Sequence, residues 1–285
     1  MTEKITSIIP STDNLGEVVQ TLASWQRDGN IVQLHPGDIG WYQRFGAEAT
    51  ASAIRLWNAG DQTVAIGLLE SPELLRLALD PRFEENEELA EQIVLDIETM
   101  LKPEGCLEAR SARILRDILT KTGWGIGDPW TSLKLELAEP VQQDILRIEI
   151  VGPAQVEDRV ALQKTSFANS SFSKDKWHDM SGGPAYKNAQ CLVGYDEDNN
   201  PVAMVTVWSA GQGRPGLIEP LGVDQVYRGK GYGQAITLAA AKALQDMGAS
   251  SATVCTESSN IGAVNTYKSA GFKELPDIRD LERKR

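Results

Sequence analysis

Residues 217–244 read LIEPLGVDQVYRGKGYGQAITLAAAKAL, and this stretch decides the predicted fold. An apolar strand is predicted over 217–223, followed by a polar turn and a glycine-rich loop that ends at Gly233. A helix is predicted next because apolar residues recur at helical spacing from Ile236 to Leu244, with Gly248 as its stop. Such a strand, loop and helix predict an α/β fold, with a mixed sheet flanked by helices.

The loop predicts a ligand with phosphate groups. Its glycines at 229, 231 and 233 let backbone amides approach a ligand closely. A helix N-terminus adds roughly half a positive charge, which favours an anion. Arg228 and Lys230 place cationic side chains beside the same point. A diphosphate fits this pattern, whereas a glycine-rich surface turn before an ordinary helix is the alternative.

Two better-known glycine loops do not fit the spacing. A nucleoside-triphosphate loop needs Ser or Thr after its Gly-Lys pair, and Gly231 stands there. A dinucleotide fingerprint needs a third glycine where this chain has Ile236. Neither a triphosphate nor a dinucleotide is therefore indicated.

A second block, TESSNIGAVNTYKSAGFKEL, occupies residues 256–275 after a predicted strand over 252–256. Its informative positions are Asn260, Ala263, Tyr267, Gly271 and Phe272. Together with Arg-Gly-Lys-Gly-Tyr-Gly, this spacing resembles the motifs of the GNAT superfamily of N-acetyltransferases. The motifs cover residues 217–275, and the flanking pattern extends the resemblance weakly to residue 145.

The resemblance implies acetyl-coenzyme A as the cosubstrate, with no metal. It places the pyrophosphate on Arg228, Gly229, Lys230, Gly231, Tyr232, Gly233 and Gln234. It also implies that backbone groups of Leu221, Gly222 and Val223 hold the pantetheine arm and polarise the thioester carbonyl. Asn260 would contact the pantetheine or position the site.

The same resemblance makes Tyr267 the proton donor to the departing thiolate. Glu219 is a candidate base for the acceptor amine, although some family members place a glutamate two residues earlier, where this chain has Leu217. Structural roles are the alternatives, with Tyr267 as a core aromatic and Glu219 orienting substrate or forming a salt bridge. Cys255 lies near the expected cleft, and a buried structural thiol is its expected state.

Composition limits the classes of partner. The net charge of −12 disfavours nucleic acid and anionic membranes. Cys106, Cys191 and Cys255 are far apart and the two histidines are isolated, so no metal site or disulfide is predicted. No signal peptide and no long apolar run is seen, so a cytoplasmic protein is expected.

An internal repeat is predicted at an offset of 144–148 residues. Residues 79–100 align with 223–244, and 108–124 align with 256–272. We therefore expect two domains, 1–140 and 141–285. A strand at 132–137 should close the first copy, while the second copy ends early and needs a last strand that is short or comes from elsewhere.

The first copy should not bind coenzyme A. Its loop position reads Glu-Glu-Asn-Glu-Glu over 84–88, and Leu119 stands where the second copy has Tyr267. Residues 1–140 carry a formal charge of −11, against −1 for the remainder. A tandem layout with a degenerate first copy resembles that of mycothiol synthase. Two unrelated α/β domains that align by chance are the alternative.

Two function classes follow. The favoured class is an enzyme that transfers acetyl from acetyl-coenzyme A to a primary amine of a small molecule or peptide, and the acidic first half favours a cationic acceptor. The other class is a coenzyme A-binding sensor or scaffold whose acidic half binds a partner protein. A monomer or a homodimer is expected.

Overall fold

The structure is a computed structural model that describes residues 4–29, 33–142, 145–276 and 279–283. Its helices are α1 Leu15–Trp25, α2 Pro36–Tyr42, α3 Ala47–Ala53, α4 Glu87–Met100, α5 Arg113–Lys121, α6 Val156–Ser166, α7 Lys174–Gly182, α8 Tyr232–Asp246 and α9 Ile261–Ser269. Its first seven strands are β1 Ile5–Ile8, β2 Ile54–Ala59, β3 Gln62–Ser71, β4 Leu74–Leu79, β5 Cys106–Glu108, β6 Trp124–Ile126 and β7 Trp130–Glu136. The others are β8 Arg147–Ile150, β9 Ala189–Tyr195, β10 Pro201–Ser209, β11 Gly216–Val223, β12 Ser251–Glu257, β13 Lys273–Glu274 and β14 Leu281–Arg283.

The strands form two sheets with equivalent orders, which confirms the mixed α/β class. The first sheet runs β1-β2-β3-β4-β5-β14-β6 and the second runs β8-β9-β10-β11-β12-β7-β13. In each sheet the first four strands are joined by antiparallel pairs, and a parallel pair follows, β4 with β5 or β11 with β12. Equivalent order in two sheets of one chain is what an internal repeat produces.

The repeat is also visible in the helices. An offset of 148 residues takes α5 Arg113–Lys121 onto α9 Ile261–Ser269 end to end. An offset of 144 takes the start of α4 at Glu87 to within one residue of the start of α8 at Tyr232. The offsets found in the sequence therefore match the helix bounds.

The last strand of each repeat is exchanged. The strand predicted over 132–137 to close the first copy does not do so, because β7 lies between β12 and β13 in the second sheet. The equivalent place in the first sheet is taken by β14, which pairs with β5 and β6. The strand that the second copy lacked therefore comes from the earlier part of the chain.

The chain accordingly separates into two compact units whose segments interleave. Unit 1 comprises residues 1–35, 47–130 and 277–285. Unit 2 comprises residues 36–46 and 131–276. The division into domains 1–140 and 141–285 stays a proposal about the repeat.

Helix α2 forms in a segment whose composition disfavours a helix. Pro36, Gly37 and Gly40 are poor helix formers, so local propensity favours a loop there. They form a helix because it packs closely against Trp208 of β10. A Cβ built at Gly37 would lie 2.5 Å from Trp208 Cγ, and one at Gly40 would lie 2.3 Å from Trp208 Cζ3. Tertiary packing therefore overrides local propensity here.

Helix α8 packs against the second sheet through small side chains. Its buried face includes Ala235, Ile236, Ala240 and Leu244. A Cβ at Gly216 of β11 would lie 2.4 Å from Leu244 Cδ2, so the helix and the strand approach closely. This packing fixes the start of α8 beside the C-terminal end of β11.

Candidate active site

A pocket of about 600 Å³ opens in unit 2 beside the C-terminal end of β11. It is lined by Ser166, Phe167, Leu221, Gly222, Val223, Tyr227, Arg228, Gly229, Gly231, Gly233, Gln234, Asn260, Gly262, Ala263, Thr266, Tyr267 and Ser269. Ten of the thirteen predicted site residues are therefore brought together. The exceptions are Glu219, Lys230 and Tyr232, which do not line it.

One wall of the pocket is the edge of β11. Its parallel register with β12 joins Gly216 to Ala252 and Leu217 to Thr253. Further along, the residues 221–223 that pair with β10 on one side line the pocket on the other. An edge that has left its neighbouring strand offers backbone N–H and C=O groups to a ligand.

Another part of the pocket wall is the N-terminus of α8. Gly231 occupies the N-cap with φ +84°, and no side chain caps the helix there. The first intrahelical bond runs from the Ala235 amide to the Gly231 carbonyl at 3.1 Å. The amides before Ala235 therefore have no acceptor within the helix, which suits an anion.

Arg228 and Lys230 have different surroundings. The Arg228 guanidinium donates to the backbone carbonyls of Ser166 at 2.9 Å and Val223 at 3.3 Å. It therefore ties the end of α6 to the end of β11. Lys230 is exposed, and its Nζ lies 5.1 Å from the centre of the Tyr227 ring. Arg228 thus lines the pocket, whereas Lys230 lies outside the lining.

Helices α8 and α9 are fastened to each other at the pocket. Gln234 Nε2 donates to the Ser269 carbonyl at 2.6 Å. A Cβ at Gly233 would lie 2.9 Å from Thr266 Cγ2, so this glycine permits close helix packing. Asn260 caps α9, and its Oδ1 accepts from the Ala263 amide at 3.2 Å. Each of these predicted ligand contacts also has a structural role.

Gly222 is required for packing within the sheet layer. A Cβ there would lie 2.6 Å from Ser166 Cβ and 2.9 Å from Met204 Cε. Any larger residue would push the end of α6 away from β11. Gly222 therefore helps to keep the two sides of the pocket together.

Tyr267 projects from α9 and is 7% exposed, with its ring 6.0 Å from that of Phe272. Burial is the main cause that raises the pKa of its hydroxyl, and electrostatic interactions with Glu219 and Cys255 raise it further. The phenol is therefore protonated at neutral pH and available as a donor.

Glu219 lies in a bulge of β11. Val205 pairs with Leu221 while Val207 pairs with Ile218, so Glu219 and Pro220 together face one residue of β10. The Glu219 carbonyl accepts a hydrogen bond from Trp208 Nε1 at 2.7 Å. Its carboxylate is near enough to act on the pKa of Tyr267, although Glu219 itself is outside the pocket lining.

The sequence motifs did not point to several of the lining residues. Thr266 precedes Tyr267 on α9 by one residue and is not a motif position. Ala263, four residues before Tyr267 on the same helix face, was already among the motif positions. Ser166 and Phe167 lie 54 residues or more before Leu221 in the chain and join no motif, so only the fold brings them here.

In unit 1 the equivalent helix N-terminus, that of α4, is capped by a side chain of the protein. Asn86 occupies the N-cap of α4, and its Oδ1 accepts from the Leu89 amide at 2.8 Å. Glu87 and Glu88 occupy the first turn, where their charges complement the helix dipole. This helix end is therefore capped by the chain itself, in contrast to that of α8.

Within the described ranges, no group of three or more His, Cys, Asp or Glu side chains is placed to hold a metal ion. Among the same residues, no helix combines the length and apolar character needed to cross a membrane.

A comparison with known protein families matches a part of the chain that lies within unit 2. Residues 159–272 match the model of the Acetyltransferase (GNAT) family, a range that includes the pocket and both motifs. No curated protein matches the sequence.

Several solved structures share the fold over almost the entire chain. A GNAT-family acetyltransferase from Colwellia psychrerythraea is 17% identical, with a TM-score of 0.61 over 99% of this chain and 100% of that one. A GCN5-related N-acetyltransferase from Sphaerobacter thermophilus is 15% identical, with a TM-score of 0.57 over 99% and 96%. A tandem GNAT protein from the clavulanic acid biosynthesis pathway is 11% identical, with a TM-score of 0.57 over 99% of each chain. At these identities the likeness shows the fold, and it is consistent with two tandem GNAT domains.

Residues 159–272 thus match the GNAT acetyltransferase family, and the solved structures share their fold with almost the entire chain.

Proposed function

We propose that unit 2 binds acetyl-coenzyme A in the pocket and transfers its acetyl group to a primary amine. The observation that carries this proposal is that the open N-terminus of α8, the free edge of β11 and the Tyr267 phenol line the same pocket. The match to an acetyltransferase family supports acetyl transfer in general. It does not favour a sensor or scaffold without activity.

The residues fit the cosubstrate in two respects. The uncapped amides at the start of α8 and the open space around Gly229 and Gly231 suit a diphosphate, since a Cβ at either glycine would meet nothing within 4 Å. The edge of β11 at residues 221–223 suits the amide groups of a pantetheine arm. Bound acetyl-coenzyme A would supply the thioester whose C–S bond breaks as the amine nitrogen bonds to the acetyl carbon.

Tyr267 would donate the proton that the departing sulfur needs. Its raised pKa keeps the phenol protonated but also makes it a weaker acid than a free tyrosine. Proton transfer from Tyr267 to the departing thiolate, whose thiol form has a usual pKa of about 8.5, is therefore uphill unless the surroundings of Tyr267 change during the reaction.

As the base, Glu219 would change the electrostatic surroundings of Tyr267 during the reaction. When its carboxylate accepts a proton from the amine, its negative charge disappears. The contribution of that charge to the pKa of Tyr267 then disappears as well, and the phenol becomes a stronger acid. The two proton transfers are thereby coupled: removal of the amine proton assists protonation of the sulfur.

The class of amine follows from charge. The chain has a net charge of −12, and −11 of this lies in residues 1–140. A field of this sign attracts cations, so we propose a cationic amine as the acceptor. The layout resembling mycothiol synthase remains a proposal, supported by the tandem repeat alone.

A thiol-release assay with a panel of amines tests the function. Acetyl-coenzyme A with the correct acceptor should release coenzyme A at a rate proportional to enzyme concentration. Formation of the N-acetyl product, followed by mass spectrometry, separates transfer from simple hydrolysis. Binding of acetyl-coenzyme A without transfer to any amine in a broad panel would contradict the proposal.

A further inference from the structure

We infer that helix α2, which comes from the first 46 residues, positions Glu219 for the transfer reaction by acting through Trp208. The inference rests on the proposed function, since Glu219 is the candidate base there. It assigns a role near the site to a helix that ends 117 residues before the family match begins at residue 159. Trp208 and α2 are positioning elements and do not line the pocket.

The first link is the bulge in β11. Two residues, Glu219 and Pro220, stand opposite one residue of β10, so the regular ladder is interrupted at this point. Pro220 has no backbone N–H, and the Glu219 carbonyl needs a donor from outside the ladder. The indole N–H of Trp208 is that donor, at 2.7 Å. The bond therefore fixes the backbone from which the Glu219 carboxylate projects.

The second link holds the indole itself. Trp208 is 1% exposed, and Tyr186 meets its ring edge-on at a centroid distance of 6.1 Å. Gly37 and Gly40 are three residues apart, so they share the face of α2 that covers the indole. A Cβ at either position would come within 2.6 Å of Trp208 ring atoms. The ring therefore has no room to rotate while α2 is in place.

The third link connects Glu219 to the proposed proton donor. The Glu219 carboxylate raises the pKa of Tyr267, and Tyr267 lines the pocket. A displacement of about 1 Å in a reacting group can lower a rate by about 100-fold. A change at Trp208 or α2 should therefore lower kcat. It should not weaken the binding of acetyl-coenzyme A, which is proposed to contact other residues.

Trp208→Phe is the direct test, because it keeps a buried aromatic ring and removes the N–H. We expect kcat to fall at least about tenfold while the Kd for acetyl-coenzyme A stays within about twofold. Gly40→Ala should have the same effect by pushing on the indole. Gly16→Ala is the matched control: Gly16 also lies in a helix, but a Cβ there meets nothing within 4 Å.

A double-mutant cycle separates positioning from a general structural effect. If Trp208 acts through Glu219, adding Trp208→Phe to Glu219→Gln should lower kcat no further. An equal loss in both backgrounds would overturn the inference, and so would an unchanged kcat in Trp208→Phe alone.

Crystal structures of the parent, Trp208→Phe and Gly40→Ala keep the inference testable if no amine is acetylated. The expected result is a shifted backbone at Glu219 and Pro220, with the rest of the β10–β11 pairing retained. An unmoved bulge in both variants would overturn the positioning role. Failure to acetylate any amine would overturn only the proposed function.

Discussion

Glu219 on β11 and Tyr267 on α9 are near enough for the carboxylate to raise the pKa of the phenol, second only to burial. Ionisation of Tyr267 would place a second negative charge beside the first in a poorly solvated site. The pair therefore keeps one proton on Tyr267 across the physiological pH range. Both residues were candidates from the sequence, but their mutual effect follows only from the fold.

The pH dependence of Glu219→Gln tests this pairing. A general acid must be protonated, so the rate falls as pH rises through the pKa of Tyr267. In the parent this fall should lie above the ordinary value of 10.0, because the pKa is raised. Glu219→Gln removes the negative charge, so the alkaline fall should move to lower pH and kcat should drop. Glu257→Gln, at the exposed end of β12, is the control. An alkaline fall that stays in place or moves upward would contradict the pairing.

Tyr267→Phe tests the proton donor. The variant keeps the ring that packs on Phe272 and removes the hydroxyl. Loss of a general acid should lower kcat by about 10²–10⁴-fold, with the Kd for acetyl-coenzyme A almost unchanged. Tyr195→Phe removes another tyrosine hydroxyl, bonded to Asp158 and outside the pocket, so it should keep full activity. A rate within about twofold of the parent in Tyr267→Phe would show that another group protonates the sulfur.

The strand, loop and helix at the centre of unit 2 were predictable because local chemistry determines them. Glycines at 229 and 231 have φ +78° and +84°, which few other residues adopt, so their positions marked the loop. The fold places residues from both motifs around one pocket. The metal-free acetyl-coenzyme A site and the individual roles remain predictions.

The parts that were missed depend on distant contacts. Gly37 and Gly40 predict a loop by propensity, and only Trp208, more than 160 residues later, explains why they form a helix. The exchange of β7 and β14 is equally invisible locally, because the residue pattern of a strand does not determine which sheet it joins. Periodicity gives the strand itself, but its partner depends on the path of the chain.

The exchanged strand gives a prediction about stability. Asp280, just before β14, pairs with Arg110 at 3.2 Å, and both side chains are buried. Asp280→Ala removes a negative charge that neutralises the buried guanidinium of Arg110. Loss of one partner of a buried ion pair typically lowers the free energy of unfolding by about 3–5 kcal/mol. Thermal unfolding should show a lower Tm, while the Kd for acetyl-coenzyme A stays the same. Asp128→Ala, an exposed acidic residue in unit 1, should change neither quantity. An unchanged Tm for Asp280→Ala would mean that β14 is held by its strand pairing alone.

Salt dependence tests the proposed cationic acceptor. Long-range attraction is screened over about 10 Å at 0.1 M salt, so kcat/KM for a cationic amine should fall as salt rises. A neutral amine of similar size should show little change in kcat/KM over the same series. Equal responses for both amines would mean that the acidic surface has no part in acceptor choice.

Calorimetric titration of acetyl-coenzyme A into the parent, Gly231→Glu and Gly123→Glu tests whether the uncapped start of α8 binds the cosubstrate. Both glycines have positive φ, +84° and +100°, and both face open space, so the two variants carry similar backbone strain and the same added charge. Only Gly231 lies at the uncapped start of α8. We expect one site per chain in the parent and in Gly123→Glu, and no measurable binding in Gly231→Glu. Two equivalent sites per chain, or an unchanged Kd in Gly231→Glu, would contradict binding at the start of α8.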